Sequence, residues 1–189
     1  MAKVLAEIDQ ELAAWIAAQP LFFNATAPLS ADGHINLSPR GLDTFRVLGP
    51  LEVAYLDFTG SGNESAAHVA ENGRITLMFC AFSGAPRILR LYGSGEVIRP
   101  GDDGWDALRE VFPADFPPAR QIVRVNVERV QTSCGFGVPL MQFVGQREEL
   151  VAWAEKKGPE GLRAYQVSNN RVSIDGLEAP GISAEDDDR

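Results

Sequence analysis

The chain has 189 residues but only two cysteines, Cys80 and Cys134, and two histidines, His34 and His68. Two cysteines make no disulfide framework. None of the four residues is paired at ligand spacing, so no metal site is expected. Positive charge is scarce as well: 17 Lys and Arg stand against 26 Asp and Glu, for a formal net charge of −9. The closing Glu185-Asp186-Asp187-Asp188-Arg189 accounts for −3 of this, and −6 belongs to the rest of the chain. Nucleic acids and anionic membrane surfaces are bound through clustered Lys and Arg, so neither is an expected partner. No apolar run approaches the roughly 18 residues of a spanning helix. The N-terminus lacks the basic-then-apolar pattern of a signal peptide, and a cytoplasmic address is the expectation. The chain also lacks a repeat, a P-loop, a dinucleotide fingerprint and a G-x-S-x-G elbow.

What is present reads as one domain over residues 1–180 with a disordered acidic tail at 181–189. Val4, Leu5, Ile8, Leu12, Trp15 and Ile16 recur at helical spacing and predict a helix over 3–18, stopped by Pro20. Leu21–Thr26 and His34–Ser38 predict a hairpin around Ala31-Asp32-Gly33. The run from Leu51 to Leu56 predicts a strand buried on both faces. A short helix over Glu64–Glu71 should end on Gly73 in the left-handed conformation. Ile75–Phe82 and Ile88–Arg99 predict two more strands, the second with a bulge or close contact at Gly93 and Gly95. Asp102 and Asp103 are candidate caps for a helix over about 104–112. Gln121–Gln131 alternates as a half-buried strand, and a helix over Arg147–Lys157 is ended by Gly158-Pro159 before another begins at Glu160. About six closely spaced strands with interspersed helices predict a mainly β fold with peripheral helices (α+β), an antiparallel barrel rather than a doubly wound sheet.

Three features can carry chemistry. The first is the turn Thr59-Gly60-Ser61-Gly62-Asn63, between an apolar strand and a helix. Small residues, hydroxyls and a helix N-terminus can cradle a phosphate, and the same composition also makes a plain polar turn. The second is a set of arginines, Arg40, Arg74, Arg87 and Arg90, near or inside apolar sequence. Such a cation pairs with an acid or with a bound anion. Odd spacing places Arg87 and Arg90 on opposite faces of a regular strand, so one can reach a site while the other faces solvent or a partner. The third is Cys134-Gly135-Phe136-Gly137-Val138-Pro139, where Phe136 can lie on a planar ligand or plug a turn, and Cys134 is a candidate thiol. His34 and His68 read as structural or solvent-facing.

These pieces, in this order, resemble the pyridoxamine 5′-phosphate oxidase-like family of FMN-binding split barrels. The matching segments are His34-Ile-Asn-Leu-Ser38-Pro39-Arg40-Gly41, Tyr55-Leu-Asp-Phe-Thr59-Gly-Ser61, Asn72-Gly-Arg74-Ile-Thr-Leu and Arg87-Ile-Leu-Arg90-Leu-Tyr-Gly93, within about residues 20–135. The resemblance implies an antiparallel split β-barrel and a homodimer with two FMN sites at the subunit interface. It implies that Leu37, Ser38, Pro39 and Arg40 line the flavin ring. Thr59, Ser61, Asn63 and Ser65 would surround the phosphate, with Arg87 and Arg90 nearby. The chain departs from the family pattern at Asn63 and Ser65, where Arg and Lys are common, and at Ile88, where oxidases proper carry a flavin-contacting Gln. Arg171-Val-Ser-Ile-Asp175 also lacks the His that holds pyridoxal phosphate. The expectation is therefore an FMN-dependent oxidoreductase for a small-molecule substrate other than pyridoxamine phosphate, with no catalytic side chain assigned. The alternative is a non-catalytic binding or storage module for flavin, deazaflavin or haem.

Overall fold

The computed structural model describes residues 2–182. Its strands are β1 (Lys3–Leu5), β2 (Phe22–Thr26), β3 (Asn36–Arg40), β4 (Phe45–Gly49), β5 (Glu52–Phe58), β6 (Arg74–Cys80), β7 (Ile88–Ile98) and β8 (Ala119–Ser133). Its helices are α1 (Gln10–Ala17), α2 (Glu64–Asn72), α3 (Trp105–Arg109) and α4 (Glu149–Asn169). All strand pairings are antiparallel, in the order β3-β2-β6-β7-β8-β5-β4, with β1 added to β8. The sheet curls into a barrel whose two edge strands, β3 and β4, are not paired with each other. This is the expected split barrel.

Closure across the split is made by side chains rather than by a ladder. Phe45 of β4 packs edge-on against Phe22 of β2 at 5.0 Å and Phe79 of β6 at 4.9 Å between ring centroids. Offset and edge-to-face aromatic contacts add to the area they bury. Inside lies a core that includes Tyr55, Leu77, Leu89, Leu91, Val123 and Val125, with Leu12 and Ile16 of α1 laid against it. The alternate residues of β5, Ala54, Leu56 and Phe58, join Ile122 and Phe112 in a second cluster. Successive strand residues face opposite ways, so serving two cores makes β5 apolar on both faces. Its six residues Val53–Phe58 are all buried, and one of them is Asp57.

Local signals placed most elements. The β2–β3 hairpin forms as expected. Gly73 ends α2 at φ 73°, the conformation for which glycine carries no Cβ penalty. The β7–β8 register shifts between Tyr92 and Gly93, where a Cβ on Gly93 would stand 2.0 Å from the Asn126 carbonyl oxygen. The helical stretch from Glu149 is broken at Gly158, which takes φ 67° and ψ 172°.

Four expectations are corrected. The predicted helix over 3–18 is two elements. Lys3–Leu5 pairs with Thr132–Val130 of β8, and α1 begins only after Asp9, whose carboxylate accepts the Leu12 N–H at 2.8 Å as an N-cap. Strand β4 was not predicted; its FRVLG sequence is short and closed by Gly49-Pro50. Helix α3 is shorter than expected and follows Gly104 with no side-chain cap, because Asp102 instead accepts the Arg99 N–H at 2.9 Å. Ile182 is buried, so packing extends past the expected boundary at 180; the rest of the acidic tail, 183–189, lies outside the described residues.

The Gly93 contact gives a direct test. Gly93→Ala should lower stability by about 1–3 kcal/mol or more, since neither backbone can yield without opening the bulge. A urea midpoint unchanged from that of the natural chain would contradict the close approach.

Candidate functional site

A cavity of about 410 Å³ opens in the split. Strand β3 supplies Asn36, Ser38, Pro39 and Arg40, and β5 supplies Leu56, Asp57 and Phe58. The turn after β5 adds Gly60, Ser61, Gly62 and Asn63, and the first turn of α2 adds Glu64 and Ser65. Arg120 of β8 and Leu150 of α4 complete the wall with the link from Gly41 to Thr44. In that link Leu42 and Asp43 hold φ of 64° and 53°, a left-handed pair that costs a non-glycine residue on the order of 1 kcal/mol each.

At the base of the cavity lies Asp57, 1% exposed. One carboxylate oxygen takes an ion pair from Arg40 Nη1. The other accepts from Arg120 Nη2 at 2.8 Å and from Gln121 Nε2 at 2.6 Å. Arg40 is further fixed by donating from Nε to Asn24 Oδ1 at 2.7 Å and by lying 4.9 Å over the Tyr55 ring. Arg120 also donates to Asn170 Oδ1 at 2.7 Å and to the Gly62 carbonyl at 3.0 Å. Asn24 and Asn36 both donate to Ser65 Oγ, at 2.7 and 2.9 Å. Two guanidiniums share one carboxylate, so the buried base carries a net positive charge. Glu64 stands at the rim, where its carboxylate accepts the Ile174 N–H at 3.1 Å.

The electrostatics follow from this packing. Burial alone would raise the Asp57 pKa, but attraction to Arg120 and Arg40, with hydrogen bonds from Arg120 and Gln121, outweighs it and brings the group down to about 2. Burial works against the Arg40 charge too, and Asp57 more than compensates, so Arg40 stays firmly protonated. Burial pushes the Tyr55 phenol up to about 12, against the pull of Arg40. Buried polar groups at this cluster with no hydrogen-bond partner among the described residues include Asn63 Nδ2, Arg120 Nε and the Tyr55 hydroxyl. An unpaired buried donor costs about 1–3 kcal/mol, so each is a place where an acceptor would be stabilised.

Six of the ten residues expected at a cofactor site line this cavity: Ser38, Pro39, Arg40, Ser61, Asn63 and Ser65. The other four do not. Leu37 alternates with Ser38 and is 62% exposed on the opposite face of β3. Thr59 is buried, with its hydroxyl accepting from Gln166 Nε2 of α4 at 2.7 Å. Arg87 stacks on Trp15 at 5.3 Å, and Arg90 donates to Ser133 Oγ at 3.3 Å. The reason is topological: β7 is the middle strand of the sheet order, opposite the split, so within one protomer its arginines face other walls. Phe136 plugs no turn and is 82% exposed. Sequence reasoning missed Arg120, Gln121 and Asp57. The available signal was Asp57 itself, since a carboxylate in a strand buried on both faces requires a cation.

Neither histidine lines this cavity. His68 is buried with Nδ1 3.0 Å from Thr26 Oγ1. His34 is exposed, and its Nδ1 lies 2.7 Å from Asp175 Oδ1. The hydrogen bond and charge of Asp175 raise the His34 pKa above its ordinary value.

Asp57→Asn should destabilise the protein by about 3–5 kcal/mol, because it leaves two buried guanidiniums without their counter-charge. Acid titrates the same interaction. With a depressed folded-state pKa, the contribution of Asp57 is complete above about pH 4 and fades toward pH 2, a loss on the order of 2 kcal/mol. Urea midpoints measured from pH 6 to pH 2.5 should fall more steeply for the natural chain than for Asp57→Asn.

Comparison with known proteins agrees with this architecture. Residues 8–134 match the pyridoxamine 5′-phosphate oxidase family. The chain is 39% identical over 191 residues to the pyridoxamine 5′-phosphate oxidase family protein ustO of Aspergillus flavus, an alignment covering 93% of this chain and 76% of that protein. Among solved structures, HupZ of Group A Streptococcus superposes with a TM-score of 0.54 at 21% identity, over 65% of this chain and 91% of that one. A Lactobacillus delbrueckii protein provisionally named a pyridoxamine 5′-phosphate oxidase gives a TM-score of 0.51 at 22% identity, over 68% and 98%. At these identities the two structures speak for the fold. The match over residues 8–134 and the 39% identity to ustO place this chain in the pyridoxamine 5′-phosphate oxidase family.

Proposed function

We propose that the cavity in the split is a flavin site, that its ligand is FMN, and that the protein is an oxidoreductase acting on a small molecule. The observation that carries this reading is Asn63 Nδ2, a buried amide donor without a partner in the wall that also holds Ser61, Ser65 and the start of α2. A phosphate there would receive amide and hydroxyl donors and the positive end of a helix. These neutral donors take the place of the Arg and Lys common in relatives, and the buried excess of positive charge behind them comes from Arg40 and Arg120. The cavity volume also falls in the range of cofactor sites.

Bound flavin supplies the electron-transfer chemistry. The chain's own part is to position the cofactor and hold charge near it. Arg40, locked by Asp57 and Asn24, presents a fixed positive charge at the wall formed by Ser38 and Pro39, which favours negative charge developing on a ring placed there. Asp57 is committed to two arginines, which leaves Glu64 as the carboxylate at the rim among the described residues. That sparse acid–base equipment also favours a second reading, flavin binding without turnover. Steady NADH or NADPH consumption with an electron acceptor would decide for the enzyme.

A homodimer belongs to the same proposal. Ile35, just before edge strand β3, and Leu37 within it are 76% and 62% exposed, and this apolar edge, on the face of β3 away from the cavity, suits burial against a second copy of the chain. Sedimentation equilibrium should return twice the chain mass.

Titration of FMN should quench flavin fluorescence in a saturable way. Asn63→Asp keeps the acceptor for Gln121 and is a good helix cap, but it sets a carboxylate against the phosphate. It should weaken FMN binding by about tenfold or more. Flavin absorbance and fluorescence unchanged at about 100 μM FMN would reject the site.

A further inference from the structure

A second cavity, of about 800 Å³, adjoins the first at Leu42, which lines both. Its character is the opposite. Leu21, Leu42, Phe82, Phe116, Met141 and Phe143 give it an apolar wall, and no Lys, Arg or His is among its described lining residues. Two carboxylates are, Asp43 and Asp115. Both oxygens of Asp43 accept from Arg46, at 2.9 and 3.0 Å. Asp115 is exposed, and its carboxylate has no ion-pair or hydrogen-bond partner among the described residues.

The irregular segment that carries Met141 and Phe143 is tied down at two points. The Met141 N–H donates to the Phe82 carbonyl at 2.8 Å, and Gln146 Nε2 donates to the Pro20 carbonyl at 2.7 Å. Gln146 also lies so close to Gly41 that a Cβ there would stand 2.6 Å from its Oε1. Met141 and Phe143 are nevertheless 57% and 59% exposed. Apolar surface held in place and left uncovered favours a ligand that buries it, because little chain ordering is then needed. At the junction of the two cavities stand Leu42 and Asp43, the pair with positive φ, and strain of this kind clusters at ligand-binding sites.

We propose that this cavity binds the body of the substrate, an apolar, ring-bearing molecule that carries an amine or no charge. The proposal rests on the flavin reading, because Leu42 is what brings a ligand here to the edge of the flavin cavity. Phe82, Phe116 and Phe143 offer faces and edges to a ring, and the volume lies in the range of small-molecule sites. Asp115 attracts a cation and repels an anion. So exposed a carboxylate sets a preference of only a few-fold, so the apolar wall supplies the affinity and the charge supplies the selection.

The test is calorimetric titration of the full chain with 4-phenylbutylamine, 4-phenylbutanol and 4-phenylbutyrate, with and without FMN. One saturable site is expected for the amine and the alcohol, with the carboxylate weaker than the amine by about fivefold or more. Phe143→Ala, at an exposed position, should weaken the amine and the alcohol alike by about fivefold, while FMN affinity and the melting temperature stay as they are. Asp115→Asn should bring amine and carboxylate to within about twofold of each other and leave the alcohol unchanged. In the FMN-loaded chain the amine should shift the visible spectrum of the flavin. The proposal is overturned if neither amine nor alcohol saturates a site up to about 5 mM, if the carboxylate binds as tightly as the amine, or if Phe143→Ala changes none of the affinities. It is also overturned if affinity falls as protein concentration rises, since a second copy of the chain then covers the cavity, or if the flavin spectrum stays unshifted in a chain saturated with both. An amine that binds where FMN does not fails the flavin reading and removes the role in substrate binding, leaving the ligand site.

Discussion

One carboxylate joins the parts of this protein that the sheet leaves apart. Asp57 sits on β5, near the β4 edge of the split, and draws Arg40 in from β3 at the opposite edge and Arg120 from β8. No ladder hydrogen bonds cross that gap, so this ion cluster and the Phe22, Phe45 and Phe79 contact hold the barrel in its curled form. Desolvating three charges is costly, and it is tolerated only because Gln121 donates to Asp57 while Asn24 and Asn170 accept from Arg40 and Arg120, completing the network. The same two-to-one ratio leaves positive charge at the base of the cavity. Structural closure and buried positive charge are thus two results of one arrangement.

The C-terminal third supplies the outer parts of the site. Leu150 joins the first cavity, Gln166 holds the Thr59 hydroxyl, and Asn170 donates to the Gly60 carbonyl while accepting from Arg120. The Ile174 N–H binds Glu64, and Asp175 binds His34 through both its ring and its backbone N–H. All of these residues lie beyond 134, where the family match ends. The barrel places the strand–turn–helix that faces the cavity, and the C-terminal region fixes the turn's conformation. Differences among relatives in what they accept are expected to concentrate there, since surface segments vary while the sheet beneath them is constrained by packing.

Much of the fold was legible from local pattern. Alternation and turn chemistry located the β2–β3 hairpin, glycine placed the end of α2 and the break at Gly158, and the Gly93 position of the bulge followed from its residue type. Local pattern misled where an element is decided from a distance. Val4 and Leu5 continue the helical periodicity of α1, yet they extend a sheet because the end of β8 offers unpaired backbone groups. Strand β4, with all five residues partly buried, carries no polar–apolar alternation to signal itself and exists because β5 presents an edge to it.

The site divides along the same line. The sequence by itself determined the strand–turn–helix with Ser61, Asn63 and Ser65, and the requirement that arginines near apolar sequence find negative partners, because both are properties of residue type and short spacing. It did not determine which arginine meets which partner. Arg120 and Asp57 are 63 positions apart, and only the β5–β8 register, with Asp57 opposite Gln121, brings them together. Arg87 and Arg90 satisfy the same local criterion, but the sheet order puts β7 opposite the split. Charge and hydrogen-bonding capacity are written into each residue, whereas proximity is a collective outcome of strand order and register, and that was decided by the tertiary structure alone.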